Sequence, residues 1–512
     1  MAHLLSLDFG TGGVRVAVFD SAGPRLIAQD QAPYGTRYLK PNRVEQNPLD
    51  WWDAACAAVP RVLAKAGATH IDAICVATTA STVVFADAAG TPLAPAIVWM
   101  DARAASEASE TGQAEHPVMA DSGGSDAVEW LVPKAMWTAR NQPELWARTE
   151  IVCEAIDFIN HRLTGLWAGS RMNATCKWNW NGREGRFHSE LYDRFGIPEL
   201  IEKIPSRIVN VGAPVGQLSA AAASQLGITG SPLVVQGGID AHMGILGADT
   251  VAPGRMLVIG GTSSVLLTHA AEGRSGAIEG VWGPYPNALV EGLMLIEGGQ
   301  VSSGAVLSWL TEKIFGLDST GFTALCAQAG EIAPDATGLL ALDYWMGNRT
   351  PYRDANLRGA ILGLTMWQDR AAIFRACTTA VALGSANIVA DLERQGVPIE
   401  EIVIAGGICR NPLWLQATID AIGKPVGVAM DDNLSLYGCA ASAATGLGLA
   451  PDLGAAAARF AAPVTPREPD MALNSCYRDQ LVAYREATQA LAPLLHKLAG
   501  SGATPPQGEI PA

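Results

Sequence analysis

The chain has 512 residues, 49% hydrophobic and 17% charged, enough apolar material for two large domains with full cores. Thirty-five basic against fifty acidic residues leave a net charge of −15; a nucleic-acid binder needs a basic face, so no such partner is expected. Nine cysteines stand singly, with no CxxC pair, which excludes a zinc framework and a disulfide scaffold and points to a reducing, cytoplasmic setting.

The N-terminus, MAHLLSLDFG, lacks a basic region and runs straight into a strand pattern, so no signal peptide is expected. Two apolar runs, Leu4–Leu7 and Val14–Phe19, flank the turn DFGTGG and predict a β-hairpin. A helix should follow the Asn47-Pro48 break, with Trp51, Trp52, Ala55 and Val59 on one face. Ile71–Ala77 reads as a buried strand, Val83–Phe85 begins another, residues 128–166 read as helical, and 232–239 as a buried strand ending in a glycine turn. Residues 256–268 then repeat the layout of the first hairpin, aligning Gly10 with Gly261, Thr11 with Thr262 and Val14 with Val265. We read two homologous α/β halves, one starting at residue 1 and the other near 254. A third strand–turn–helix unit lies at 402–407, with Asn411 and Pro412 opening its helix. The apolar stretches 376–390 and 433–450 are rich in Ala, Gly, Ser and Asn and predict buried helices, with no membrane span expected. Tyr477–Leu498 predicts one amphipathic helix, and the last dozen residues a disordered tail. The expected domains are 1–250 and 251–452, followed by a C-terminal helix and tail over 453–512.

P-loop, HExxH, GxSxG and GxGxxG motifs are all missing, which removes the main support for the corresponding enzyme classes. What remains is a pair of Gly-Thr turns in repeated frames, each able to form an amide nest for phosphate. Asp8 precedes the first turn, where a carboxylate can anchor a hydrated Mg²⁺ or simply start the turn. Asp240 follows Gly237-Gly238 at a strand's C-terminal end. It could serve as a general base, cap the following helix, or do both. His242 is expected to face elsewhere. A polar and aromatic set suits a polyol, with hydroxyls and carboxylates for its OH groups and an indole for its C–H face. It comprises Thr78, Thr79 and Ser81, then Trp99, Asp101 and Arg103, then Glu129, Trp130 and Lys134. Core packing for Trp99, and a surface pair for Asp101 with Arg103, are the plainer alternatives.

These motifs, in this order from Asp8 to about Leu449, resemble the FGGY carbohydrate kinases. DFGTGGVR resembles the family's first phosphate loop, EQNPLDWW (45–52) its Glu-Gln-x-Pro segment, IGGTSS (259–264) its second phosphate loop, and AGGICRNPLWLQATID (405–420) its adenosine segment. The resemblance implies two ribonuclease-H-like α/β domains of the actin and sugar-kinase superfamily, with Mg·ATP and a sugar meeting in the cleft between them. It implies Asp240 as general base and Asp8 as organiser of Mg²⁺. Thr11, Gly12, Gly13, Arg15, Gly261 and Thr262 would hold phosphate, and Gly406, Gly407 and Asn411 would line the nucleotide. Ser81, Trp99, Asp101 and Glu129, together with Asp240, would contact the sugar. Within the family, 123–137, 280–300 and 343–354 are similar to the ribulokinase branch, implying phosphorylation of a ketopentose. Two departures bear on the sugar: Ala102 stands where the branch often has His, and a Glu common in one helix is replaced within Thr378-Thr379-Ala380-Val381. Another sugar or polyol kinase, or a non-transferring ATPase or sugar-binding regulator on the same fold, is the alternative. A homodimer is left open.

Overall fold

β1 (His3–Phe9) and β2 (Gly13–Asp20) form the first hairpin. Its antiparallel register sets Asp8 opposite Arg15 and Phe9 opposite Val14. The computed structural model describes residues 3–22, 25–39, 42–273 and 278–500. β3 (Arg25–Pro33) continues the meander, and α1 (Pro48–Ala66) packs across it. The helix starts where Asn47 accepts from Leu49 N–H with Pro48 at the first turn, and ends at Gly67 in the left-handed region, φ 65°. Each device satisfies end groups that the helix leaves open. Trp51, Trp52, Ala55 and Val59 are all buried, as their spacing predicts.

β4 (Ala73–Thr78) lies parallel to β1. The stretch read as helical over 128–166 holds α2 (Leu131–Asn141) and further helices, but a strand, Ile151–Glu154, interrupts it. That strand pairs antiparallel with Val83–Ala86 in a five-stranded satellite sheet, so long-range pairing overrides the local pattern. β5 (Pro214–Gln217), β6 (Leu233–Val235) and α3 (Asp240–Gly247) complete the first half. The main sheet runs β5-β6-β4-β1-β2-β3.

The second half opens with β7 (Gly254–Gly260) and β8 (Ser264–Ala271), followed by β9 (Trp282–Pro286) and β10 (Leu293–Gln300). Then come α4 (Arg370–Arg394), β11 (Ile399–Ala405), α5 (Pro412–Ile422), β12 (Val426–Ala429), α6 (Leu434–Gly446), β13 (Val464–Arg467) and α7 (Met471–Gly500). Its sheet runs β9-β10-β8-β7-β11-β12-β13. β3-β2-β1-β4-β6 and β10-β8-β7-β11-β12 therefore match in order and direction, three antiparallel strands followed by two parallel ones. The repeat glimpsed at Gly10 and Gly261 extends through both halves. The described residues beyond 452, up to 500, belong to this second unit: β13 pairs with β12, and α7 packs on α4 and α5. Residues 501–512, expected to be a disordered tail, lie outside the described residues.

By length and composition α4 is apolar enough to cross a membrane, yet most of it is buried in the second core. The halves meet through α3 and α6, the helices that follow β6 and β12. A Cβ on Gly247 would lie 2.0 Å from Leu434 O, and one on Gly438 2.0 Å from Met243 O. Only glycine lets the two backbones approach so closely.

Candidate active site

Asp8 is the next-to-last residue of β1 and has no exposure. Its Oδ2 pairs with Arg15 and accepts from Ser435 Oγ of α6 at 2.5 Å, while Oδ1 is buried with no hydrogen-bond partner. Arg15 also donates to Asn433 Oδ1 at 3.1 Å, so the first hairpin is tied to the start of α6. Asp8 beside it raises the Arg15 pKa against burial, with Asp240 adding to the rise. The orphaned Oδ1 is a hard oxygen ligand of the kind a hydrated Mg²⁺ accepts, so the donor set fits that ion.

The first turn lines a concavity of about 370 Å³, formed by residues 10–15 with Gln31, Ala32 and Pro33. Gln46 Nε2 donates to Thr11 O at 2.7 Å, and Trp99 Nε1 donates to Thr11 Oγ1 at 3.1 Å. The Thr11 hydroxyl thus accepts from the indole and keeps its own proton to give. Gly12 is exposed, and Gly13 is forced to be glycine because a Cβ would lie 2.6 Å from Ala32 O. A larger groove, about 490 Å³ beside Arg171, Asn287 and Asp452, contains none of the candidate residues.

The second turn sits at the C-terminal end of β7. Ser303 Oγ and Gly304 N donate to Gly261 O, and Ser303 N to Thr262 O. Thr262 itself is exposed. β11 runs parallel beside β7, with Ile259 opposite Ala405, so Gly406 and Gly407 lie directly against this turn. Gly406 has φ 89°, and a Cβ there would lie 2.7 Å from Gly260 O. Asn411 is buried and spends its Oδ1 on Trp414 N at 3.1 Å as the cap of α5.

Asp240 is the first residue of α3, half-buried, with Oδ1 accepting from Ala241 N at 2.7 Å. Gly237 places it: a Cβ would lie 1.9 Å from Val76 O, so β6 and its extension can press against β4. Burial first, then repulsion from Asp8, pushes the Asp240 pKa up to about 7, against the Ala241 N–H and Arg15. A carboxyl so placed exchanges a proton near neutrality.

Two of the residues expected to contact the sugar are turned toward the interior. Ser81 has no exposure, and its hydroxyl donates to Glu154 Oε1 at 2.6 Å; Trp178 Nε1 and Asn173 Nδ2 share that carboxylate at 2.8 Å each. Asp101 also turns inward, accepting from Val44 N at 2.5 Å and from Arg103 N, Nε and Nη2 at 2.7–2.9 Å. It holds the satellite sheet, and its pair with Arg103 is buried, where a surface pair was the plainer expectation. Trp99 is half-buried, and Glu129 lies 3.6 Å from Arg349 of the second half.

The sequence left Lys177 and Glu297 unremarked. Lys177 Nζ and His242 Nε2 approach Glu297 Oε2 at 3.3 and 3.5 Å, all three being buried. Lys177 also stands over the Trp130 ring at 4.8 Å, and Trp130 packs on Trp282 at 5.1 Å. Burial pushes the Glu297 carboxyl up, but Lys177 and His242 hold it well below the usual range. No local motif marks Glu297, because its partners Lys177 and His242 come from distant parts of the chain. His116, His188 and Glu190 also cluster, but His116 Nδ1 accepts from Val118 N, leaving its Nε2–H toward Glu190 as a hydrogen-bonded cap.

Two repeated α/β lobes, each opening on a hairpin with a glycine-rich turn, are the architecture of a two-domain sugar kinase. The chain belongs to the FGGY family of carbohydrate kinases: residues 3–247 match the family's N-terminal domain and 256–447 its C-terminal domain. It is 31% identical over 487 residues to an FGGY carbohydrate kinase domain-containing protein of Danio rerio, covering 86% of this chain and 88% of that one. It is 28% identical to a ribulokinase of Shouchella clausii, covering 87% and 86%. The solved xyloylose kinase of Brucella ovis superposes with TM-score 0.86 at 26% identity, covering 96% of this chain and all of that one.

Proposed function

We propose that this carbohydrate kinase transfers the γ-phosphoryl group of ATP to a terminal hydroxyl of a ketopentose, with ribulose the sugar its sequence fits best. The ribulokinase-like segments 123–137, 280–300 and 343–354 support that choice, as do the ribulokinases among its relatives. The observation that carries the reading is Asp240, aimed from the start of α3 beside the Asp8–Arg15 pair with a pKa near neutrality.

In the reaction the sugar oxygen attacks the γ-phosphorus, the bond to the β,γ-bridging oxygen breaks, ADP leaves, and the hydroxyl proton passes to Asp240. Thr11 with the amides of Gly12 and Gly13 grips phosphate from one side, and Gly261 and Thr262 from the other. Gly406, Gly407 and Asn411 shape the nucleotide face, and Trp99, Glu129, Lys177 and Glu297 line the acceptor. Mg²⁺ held by Asp8 would neutralise charge on the phosphates. Glu129 and Arg349, 3.6 Å apart across the halves, favour the closed cleft that excludes water. All nine cysteines are free, which supports a reducing, cytoplasmic setting.

The test is ADP release with Mg·ATP against D- and L-ribulose, D- and L-xylulose, ribitol, erythritol and glycerol. One strong response to a ribulose supports the proposal, and a stronger response to another acceptor reassigns the sugar. Flat traces with ATP bound would replace it with a non-transferring role.

A further inference from the structure

Helix α2 carries a charged side chain to a place with no exposure. Lys134 is fully buried, and its Nζ donates to Ser81 O at 2.7 Å and to Val98 O at 2.9 Å. Taking an amine out of water is costly, and methionine would fill the same volume without that penalty. Burial lowers the Lys134 pKa to about 7, against the pull of Asp101, Glu129 and Glu154. What the amine holds accounts for its presence.

The two carbonyls belong to separate segments. Ser81 is gripped at both ends, its hydroxyl by Glu154 and its carbonyl by Lys134. Val98 directly precedes Trp99, whose indole donates to the Thr11 hydroxyl of the first phosphate turn. One ammonium group therefore joins the 79–82 loop to the Trp99 strand end, and through Trp99 to Thr11. The geometry also explains the residue type. Two carbonyls facing one point need a group with at least two N–H donors and no acceptor of its own, which the protonated amine supplies. Glutamine brings two N–H groups but adds a carbonyl needing a donor, and methionine brings none.

We infer that Lys134 is a positioning residue that locks the Ser81 loop and Trp99 in one register, setting the acceptor against Thr11 and Asp240; this rests on the sugar-kinase reading of the cleft. Lys134 touches neither substrate in this arrangement and acts through the two segments it joins.

The experiment compares wild type with Lys134→Met by amide hydrogen exchange of the free protein, then by KM for sugar and for ATP. In Lys134→Met, exchange should rise about tenfold in peptides covering 78–83 and 97–101 and stay unchanged across β7 and β8. KM for sugar should rise about tenfold, while KM for ATP, which Lys134 reaches only through the intact Trp99–Thr11 hydrogen bond, should rise by about twofold or less. Exchange unchanged in those two segments, or raised equally throughout the protein, would overturn the inference, as would equal rises in both KM values. If wild type turns over no sugar, the kinase reading fails, but the exchange measurement still decides Lys134. Should Lys134→Met not fold, Lys134→Gln carries the test, with a smaller rise confined to the same two segments as the expected result and an unaltered or uniform pattern as the refutation.

Discussion

Replacing Asp240 by Asn keeps its volume and removes the group that accepts the proton. A positioned general base contributes about 10²–10⁴ in rate, or about 2.7–5.4 kcal/mol of barrier at about 1.36 kcal/mol per decade. Asp240→Asn should therefore lower kcat by that factor and leave ATP binding intact, because the two phosphate turns are built from other residues. The structure adds a pH signature. The base acts when ionised, and burial with repulsion from Asp8 raises Asp240 to about 7 in the free protein, so wild-type kcat/KM for sugar should climb through about that pH and level off above it. The Asn variant should lose this limb. Stability runs the other way: a folded pKa raised above the unfolded carboxylate value makes wild type lose stability as pH rises between the two. The Asn variant should accordingly gain in Tm over wild type from about pH 4 to about pH 7, with a constant margin beyond. ADP release over a range of sugar concentrations, thermal melts across the same pH range and calorimetric titration with ATP measure all three. A variant with wild-type kcat, or with the same acid limb, would remove Asp240 from proton transfer.

Other substitutions probe the supports of the site. Gly237→Ala puts a methyl 1.9 Å from Val76 O, a backbone atom that cannot step aside; it should cost about 1–3 kcal/mol or more in urea melts and displace Asp240, lowering kcat. Gly406→Ala meets both φ 89° and Gly260 O at 2.7 Å, so KM for ATP should rise about tenfold, with KM for sugar little changed, in initial-rate measurements. Trp99→Phe removes the 3.1 Å hydrogen bond to Thr11, worth about 0.5–1.5 kcal/mol, and KM for ATP should increase about two- to tenfold in the same assay.

Contiguous chemistry was legible in the sequence. The hairpin around DFGTGG, the α1 helix with its Asn-Pro start, and the strand–glycine–Asp240 layout all appear where their residues predict them. Local hydrogen bonding and side-chain alternation decide such units. The helical reading of 128–166 missed Ile151–Glu154 because that strand is made by its partner, Val83–Ala86, some seventy residues earlier. Ser81 and Asp101 were assigned to the sugar from the family resemblance, which says nothing of what each side chain bonds within this chain. The fold turns them inward, because Glu154 and Arg103 were already there to pair with them.

The family, the two repeated halves and the identity of the acid at 240 follow from the amino-acid order by itself, since each is written in short segments whose chemistry survives without context. The tertiary structure alone decided what the acids face. Asp8 gains Ser435 from a helix 427 residues away, and Lys177 meets Glu297 across 120. Asp240 rises toward neutrality because folding removes water from it and sets Asp8 nearby. Desolvation and the placement of neighbouring charges depend on positions in space, which no local spacing along the chain encodes.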